Sequence, residues 1–204
     1  ETYNLDRESV VETSREHDDY IDAIRAVHLY GLPADMARLS AIAEEHDLWI
    51  LTDEIYSGLV YDGEFVSIGS VPGAMKRTIL MDGMSKTYAM TGWRMGYGVM
   101  PRKLADYLST LAVNNFSCPA SMVQVAMMEA FTGPMDEVNI MVEEFRKRRD
   151  VIVDGLNKIE GISCLKPQGA FYVFPNIKQL GMTSKEVFDL LLYEAGVAGL
   201  PGTA

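Results

Sequence analysis

Cysteine is scarce in this sequence: Cys118 and Cys164 are the two present in 204 residues, far apart and without the paired spacing of a zinc site. A disulfide scaffold is excluded, and a reducing cytoplasm is the expected compartment. Basic residues are also few, 18 against 29 acidic, and the resulting net charge of -11 repels phosphate backbones and anionic membranes. Nucleic acid is not an expected partner. No apolar run approaches the roughly eighteen residues a membrane span requires, and the first residues lack the basic-then-apolar order of an export signal. A soluble protein without membrane association is expected. His17, His28 and His46 lie too far apart for a helical metal pair, so no metal is expected. Internal repeats and low-complexity tracts are lacking as well.

What is present is apolar mass in a definite order. Hydrophobic residues make up 48% of the chain, enough for one α/β domain and part of another. From Ile24 onward, short apolar runs alternate with amphipathic stretches, the pattern of successive βα units in a largely parallel sheet. The first run covers Ala23 to Tyr30, and a helix is expected after it, with Pro33 near its first turn and Met36, Leu39 and Ala43 on one face. Leu48 to Thr52 and Thr78 to Met81 read as two further buried strands, each running into polar residues. Those polar ends matter, because open α/β sheets bind ligands at the carboxyl ends of their strands.

Four glycines between positions 83 and 98 (Gly83, Gly92, Gly96, Gly98) predict a loop whose backbone approaches something closely, closed by a short strand from Tyr97 to Met100. Helices are predicted from about Arg102 to Asn114 and from about Ala120 to Phe131, with Gly133-Pro134 as the break and domain boundary. Apolar residues from Val138 to Ile159 form one stripe of a further helix, supported by Glu143 with Lys147 and Glu144 with Arg148 at i,i+4. On that helix, Phe145-Arg146-Lys147-Arg148-Arg149 reads as a solvated face. Gly169 to Phe174 predicts a strand, and Thr183-Ser184-Lys185-Glu186 a capping box that opens a helix. The expected architecture is an α/β domain over residues 1–133, with a mostly parallel sheet, followed by part of a smaller α+β domain over residues 134–204.

The polar residues at the strand ends form a chemical set. Lys86 follows a buried strand within the glycine-rich stretch, where partial desolvation favours the neutral amine that attacks a carbonyl. Arg94, eight residues on, offers a planar guanidinium to a phosphate, assisted by the Ser85 hydroxyl and loop amides. Asp53, at the neighbouring strand end, can hold a pyridine nitrogen protonated, and Tyr56 can donate to a phenolate oxygen. An amine, an anion, a phenol and a phosphate cradle are together what pyridoxal 5'-phosphate requires. Trp93 and Tyr97 beside this loop read as packing rather than ligand contacts.

Asp53-Glu54-Ile55-Tyr56, with the run from Ser85 through Lys86, Thr91-Gly92-Trp93-Arg94 to Tyr97, resembles the class I/II aminotransferases of fold type I. Pro167 to Tyr172 and Leu200 to Thr203 resemble that family's small domain. The resemblance implies pyridoxal phosphate as cofactor, Lys86 as the Schiff-base lysine and proton carrier, and Asp53 on the pyridinium. It also implies Tyr56 on the phenolate oxygen and Ser85 and Arg94 on the phosphate. A ping-pong transfer of an amino group between an amino acid and a 2-oxo acid, by a homodimer, is the implied activity.

The chain departs from that family in one place. Where the family has Asn-Pro-x-Gly ahead of the first helix, this sequence has Val27-His28-Leu29-Tyr30-Gly31-Leu32-Pro33, and residues 27–36 are similar to sugar-nucleotide aminotransferases. The rival expectations are therefore a sugar-nucleotide aminotransferase and a non-catalytic pyridoxal-phosphate-binding sensor of a regulator. Glu1 at the start and the Gly/Pro-rich end at Gly199 to Ala204 lead to the expectation of a fragment, with the large domain incomplete at its N-terminus. The family segments that supply an arginine for the substrate carboxylate have no counterpart here, so specificity is expected to lie largely outside the chain.

Overall fold

The computed structural model describes residues 7–16, 22–28 and 34–203. Its centre is a four-stranded sheet in the order β1 (Ala23–Val27), β2 (Trp49–Asp53), β3 (Thr78–Gly83), β4 (Gly96–Val99). β1, β2 and β3 are parallel, and β4 is antiparallel to β3. Side chains alternate between faces along each strand. On one face Ile24, Ala26, Ile50 and Leu80 are buried together with Met36, Leu39, Ile42 and Ala43 of helix α2 (Met36–Glu45), which follows α1 (Arg7–Glu16) in chain order. On the other face Val27, Leu51, Asp53 and Met81 are only half-buried.

The start of α2 is marked by a side-chain cap. The helix begins at Met36, where the Asp35 side chain caps it by accepting from the Arg38 N–H. Pro33, like Leu29 and Tyr30 of the expected first strand, lies outside the described residues.

The glycine-rich stretch corrects the sequence reading. Gly83, Gly96 and Gly98 lie in strands, and Gly83 pairs directly with Gly96 across the antiparallel β3–β4 ladder. A Cβ on Gly83 would stand 2.9 Å from both the Gly96 Cα and the Met95 carbonyl oxygen. The close approach inferred from the glycines is thus one strand against another. Because both obstacles are backbone, Gly83→Ala is expected to cost about 1–3 kcal/mol, read as a lowered urea midpoint.

Beyond β4 the chain is helical: α3 (Arg102–Asn115), α4 (Ser121–Thr132), α5 (Asp136–Leu156) and α6 (Ser184–Tyr193). Two compact units divide within α5. The first contains Glu1–Val142 with Gln168–Ala170, and the second Glu143–Pro167 with Phe171–Ala204. In the second unit the capping box forms as expected, with Thr183 and Glu186 bonding each other's backbone N–H groups. Glu144 pairs with Arg148 at 3.0 Å, while Glu143 takes Arg146 at i,i+3. Arg149 is not on a solvated face: it is buried, donating to the Pro167 carbonyl and pairing with Asp150. Ile159 lies past the end of α5, in a turn.

The strand expected at Gly169 to Phe174 does not form. Ala170 takes a left-handed φ of +55°, and within the first unit the Ala170 N–H donates to the Leu59 carbonyl and the Tyr61 N–H to that of Gln168. The Tyr61 hydroxyl also donates to the Ala170 carbonyl. A single bridge between Val60 and Gly169 remains of the ladder.

Candidate active site

β2 ends at Asp53, whose register partners are Val27 on β1 and Met81 on β3. Pairing continues one residue further, where the Glu54 N–H donates to the Met81 carbonyl. Both strands then run into turns, β2 through Tyr56 and β3 through Ser85 and Lys86, on the same edge of the sheet. That edge is formed by the carboxyl ends of the parallel strands.

Each residue expected from the sequence has a defined place. Asp53 is half-buried on the face away from α2, and its Oδ1 accepts the Ile55 N–H at 3.2 Å. Its Oδ2 takes no donor among the described residues. Tyr56 is buried, and the Lys86 Nζ sits over its ring, 5.9 Å from the centroid. Ser85 is half-buried beside Lys86. Arg94 lies in an exposed turn with a left-handed φ of +54°, its Nη1 donating to the Thr91 carbonyl at 3.0 Å. The structure therefore brings Lys86 and Tyr56 together, whereas no bond joins Arg94 to Ser85 among the described residues. Trp93 is 52% exposed, so it does not pack the loop as expected. Tyr97 does pack, edge-on against Phe131.

Two polar clusters beneath this edge were not singled out from sequence. In the first, the fully buried His28 accepts the Ala34 N–H at Nδ1, which leaves Nε2 as the ring's donor, 3.0 Å from Thr52 Oγ1 and 3.7 Å from Glu54 Oε1. Glu54 Oε1 also accepts the Ile68 N–H at 3.0 Å. Burial pushes the Glu54 carboxyl up, but hydrogen bonds from His28, Ser67 and Ile68 outweigh it and hold the group below the ordinary carboxylate range. A carboxyl lowered on folding contributes stability that is present above its unfolded value and lost as pH falls through the lowered one. Glu54→Gln is therefore expected to flatten the loss of unfolding free energy between about pH 5 and pH 3, followed by urea titration. An unchanged slope would contradict this account of the cluster.

The second cluster surrounds Asp82. Its Oδ2 accepts from Ser57 Oγ at 2.9 Å and Tyr97 OH at 3.3 Å, and its Oδ1 accepts the Gly83 N–H at 2.6 Å. Burial raises the Asp82 carboxyl above its ordinary value against the pull of these three donors. Burial and the adjacent carboxylate push the Tyr97 phenol up to about 12, so it remains a donor at neutral pH. A sequence signal for this cluster exists: Thr78, Leu80 and Asp82 share one strand face, so a carboxylate there faces inward.

Comparison with known proteins gives the family. The model of the aminotransferase class I and II family matches residues 31–204. The aromatic-amino-acid aminotransferase 2 of Thermococcus litoralis is 40% identical over 173 residues, covering 83% of this chain and 44% of that protein. The aspartate aminotransferase of Pyrococcus abyssi is 39% identical over 173 residues, with the same shares of 83% and 44%. Among solved structures, the aromatic aminotransferase of Pyrococcus horikoshii OT3 superposes with a TM-score of 0.90 at 31% identity, covering 99% of this chain and 56% of that one. The chain spans 44% of the length of these curated relatives. The comparisons favour neither the sugar-nucleotide nor the sensor reading, and the α/β fold with its mostly parallel sheet agrees with the solved neighbours. The chain belongs to the class I and II aminotransferase family.

Proposed function

We propose that this chain forms the cofactor-holding part of a pyridoxal-phosphate-dependent aminotransferase, with Lys86 as the covalent attachment point. The observation that carries this reading is the meeting of Lys86 Nζ and the Tyr56 ring at the strand edge that also ends in Asp53. The group fits the donor set on one further ground: Asp53 is held by the Ile55 N–H at one carboxylate oxygen and leaves the other for a ring N–H. When bound, pyridoxal phosphate would supply an electron sink for the electron pair left by bond-breaking at the substrate α-carbon.

In this reading Lys86 provides the amine and later carries the proton at its Nζ, and Asp53 keeps a positive ring nitrogen paired. Tyr56 orients the phenolate side, while Ser85 and Arg94 hold phosphate. For Arg94 this role falls to the guanidinium N–H groups other than the one at Nη1 that donates to the Thr91 carbonyl. An amino acid and a 2-oxo acid are the proposed substrates, the aspartate or aromatic type following from the names of the relatives. A homodimer, a cytoplasmic setting and a boundary near residues 133/134 between the large cofactor-binding domain and the small domain complete the proposal. No described helix is long and apolar enough to cross a membrane.

The test is an absorption titration with pyridoxal phosphate. Wild type is expected to develop the red-shifted band of a lysine-bound cofactor, whereas Lys86→Ala should show only the spectrum of the free aldehyde. Equal bands in both proteins would refute Lys86 as the attachment point.

A further inference from the structure

Tyr56 and Lys86 belong to two turns, and the parallel pairing that fixes β2 against β3 ends with the Glu54 N–H on the Met81 carbonyl. Beyond it the turns must be held by something else. The Asp82 carboxylate gathers one donor from its own strand and two from other segments: Gly83, the next residue, which leads into Lys86; Ser57, next to Tyr56; and Tyr97, on β4 behind the turn of Arg94. Close packing accompanies these bonds, since a Cβ on Gly58 would stand 2.4 Å from Thr87 Cγ2. A carboxylate suits this junction because it accepts only, and its four lone-pair sites accommodate two hydroxyls and an amide at once.

We propose that Asp82 is a positioning residue that fixes the Tyr56 turn against the Lys86 turn through Ser57, Gly83 and Tyr97. This rests on the reading of Lys86 and Tyr56 as the cofactor-contacting pair. Asp82 itself touches no reacting atom; it acts through the geometry of the two turns. Asparagine should substitute well, since its carbonyl can accept the Gly83 N–H and its amide can donate to both hydroxyl oxygens. Alanine removes all three bonds.

The test uses hydrogen exchange on the cofactor-free protein, together with cofactor titration of the same variants. In Asp82→Ala, amide protection over residues 54–58 and 83–88 should fall about ten-fold or more while α2 and β1 keep theirs, and cofactor affinity should drop about 10- to 100-fold. Asp82→Asn should recover most of both. Uniform loss of protection across the unit, or affinity unchanged in Asp82→Ala when corrected for the folded fraction, would overturn the proposal. Lys86→Ala run alongside separates the two claims: if it keeps the lysine-bound spectrum, the site reading fails, and if it loses that spectrum while Asp82→Ala behaves as wild type, only the positioning role fails.

Discussion

Lys86→Ala is expected to leave a folded protein whose amino-group transfer has fallen by at least about a thousand-fold, because under the proposed function one substitution removes both the nucleophilic amine and the proton carrier. The fold should tolerate it. Lys86 is half-buried in a turn after β3 and takes no place in the core formed by α2 with β1, β2 and β3. The substitution removes the cation above the Tyr56 ring, a contact worth about 0.5–1 kcal/mol at partly exposed sites. An unfolding midpoint close to wild type, together with lost transfer between an amino acid and a 2-oxo acid, is the expected pair of results. Transfer within ten-fold of wild type would remove Lys86 from the chemistry.

Asp53→Asn should have the second largest effect, by a different route. Asparagine keeps a carbonyl oxygen for the Ile55 N–H, so the turn after β2 is preserved and the lost quantity is the negative charge on the other carboxylate oxygen. Without that charge a cofactor ring nitrogen is no longer held protonated, and the rate should fall about 100- to 1,000-fold, the scale of losing one preorganised electrostatic partner. Covalent loading at Lys86 should survive. The signature is thus a fall in kcat with cofactor still attached, measured by single-turnover kinetics. Loss of attachment instead would mean that Asp53 acts on the fold of the turn rather than on the ring.

The parts of this arrangement legible in the sequence are those governed by local pattern. The alternation of apolar runs with amphipathic stretches placed β1, β2, β3 and α2 within a few residues, since each buries one face or stripe against the others. The capping box at Thr183 was readable because both of its bonds are made within four residues. Long-range pairing was not readable in the same way. The run from Gly169 to Phe174 has the composition of a strand, yet the backbone bonds at its start are made by Gln168 to Tyr61 and by Ala170 to Leu59, more than a hundred residues earlier. The glycines at 83 and 96 signalled a close approach, but only the antiparallel register shows that each is the other's neighbour.

The same division runs through the site. Asp53, Tyr56 and Lys86 stood out because their order and setting match the needs of one chemical group. Asp82 did not, because its importance arises from the Ser57 and Tyr97 hydroxyls, which two other segments bring to it. His28 and Glu54 were hidden for the same reason: neither residue type suggests a buried pair until β1 and β2 are placed side by side.

The central claim, that the amine at the end of β3 carries the cofactor, is tested most directly by reducing the pyridoxal-phosphate-loaded protein with borohydride and mapping the modified peptide by mass spectrometry. The account requires the phosphopyridoxyl group on Lys86, and its absence in Lys86→Ala. Label spread over exposed lysines such as Lys103, or label that persists undiminished in the variant, would contradict it.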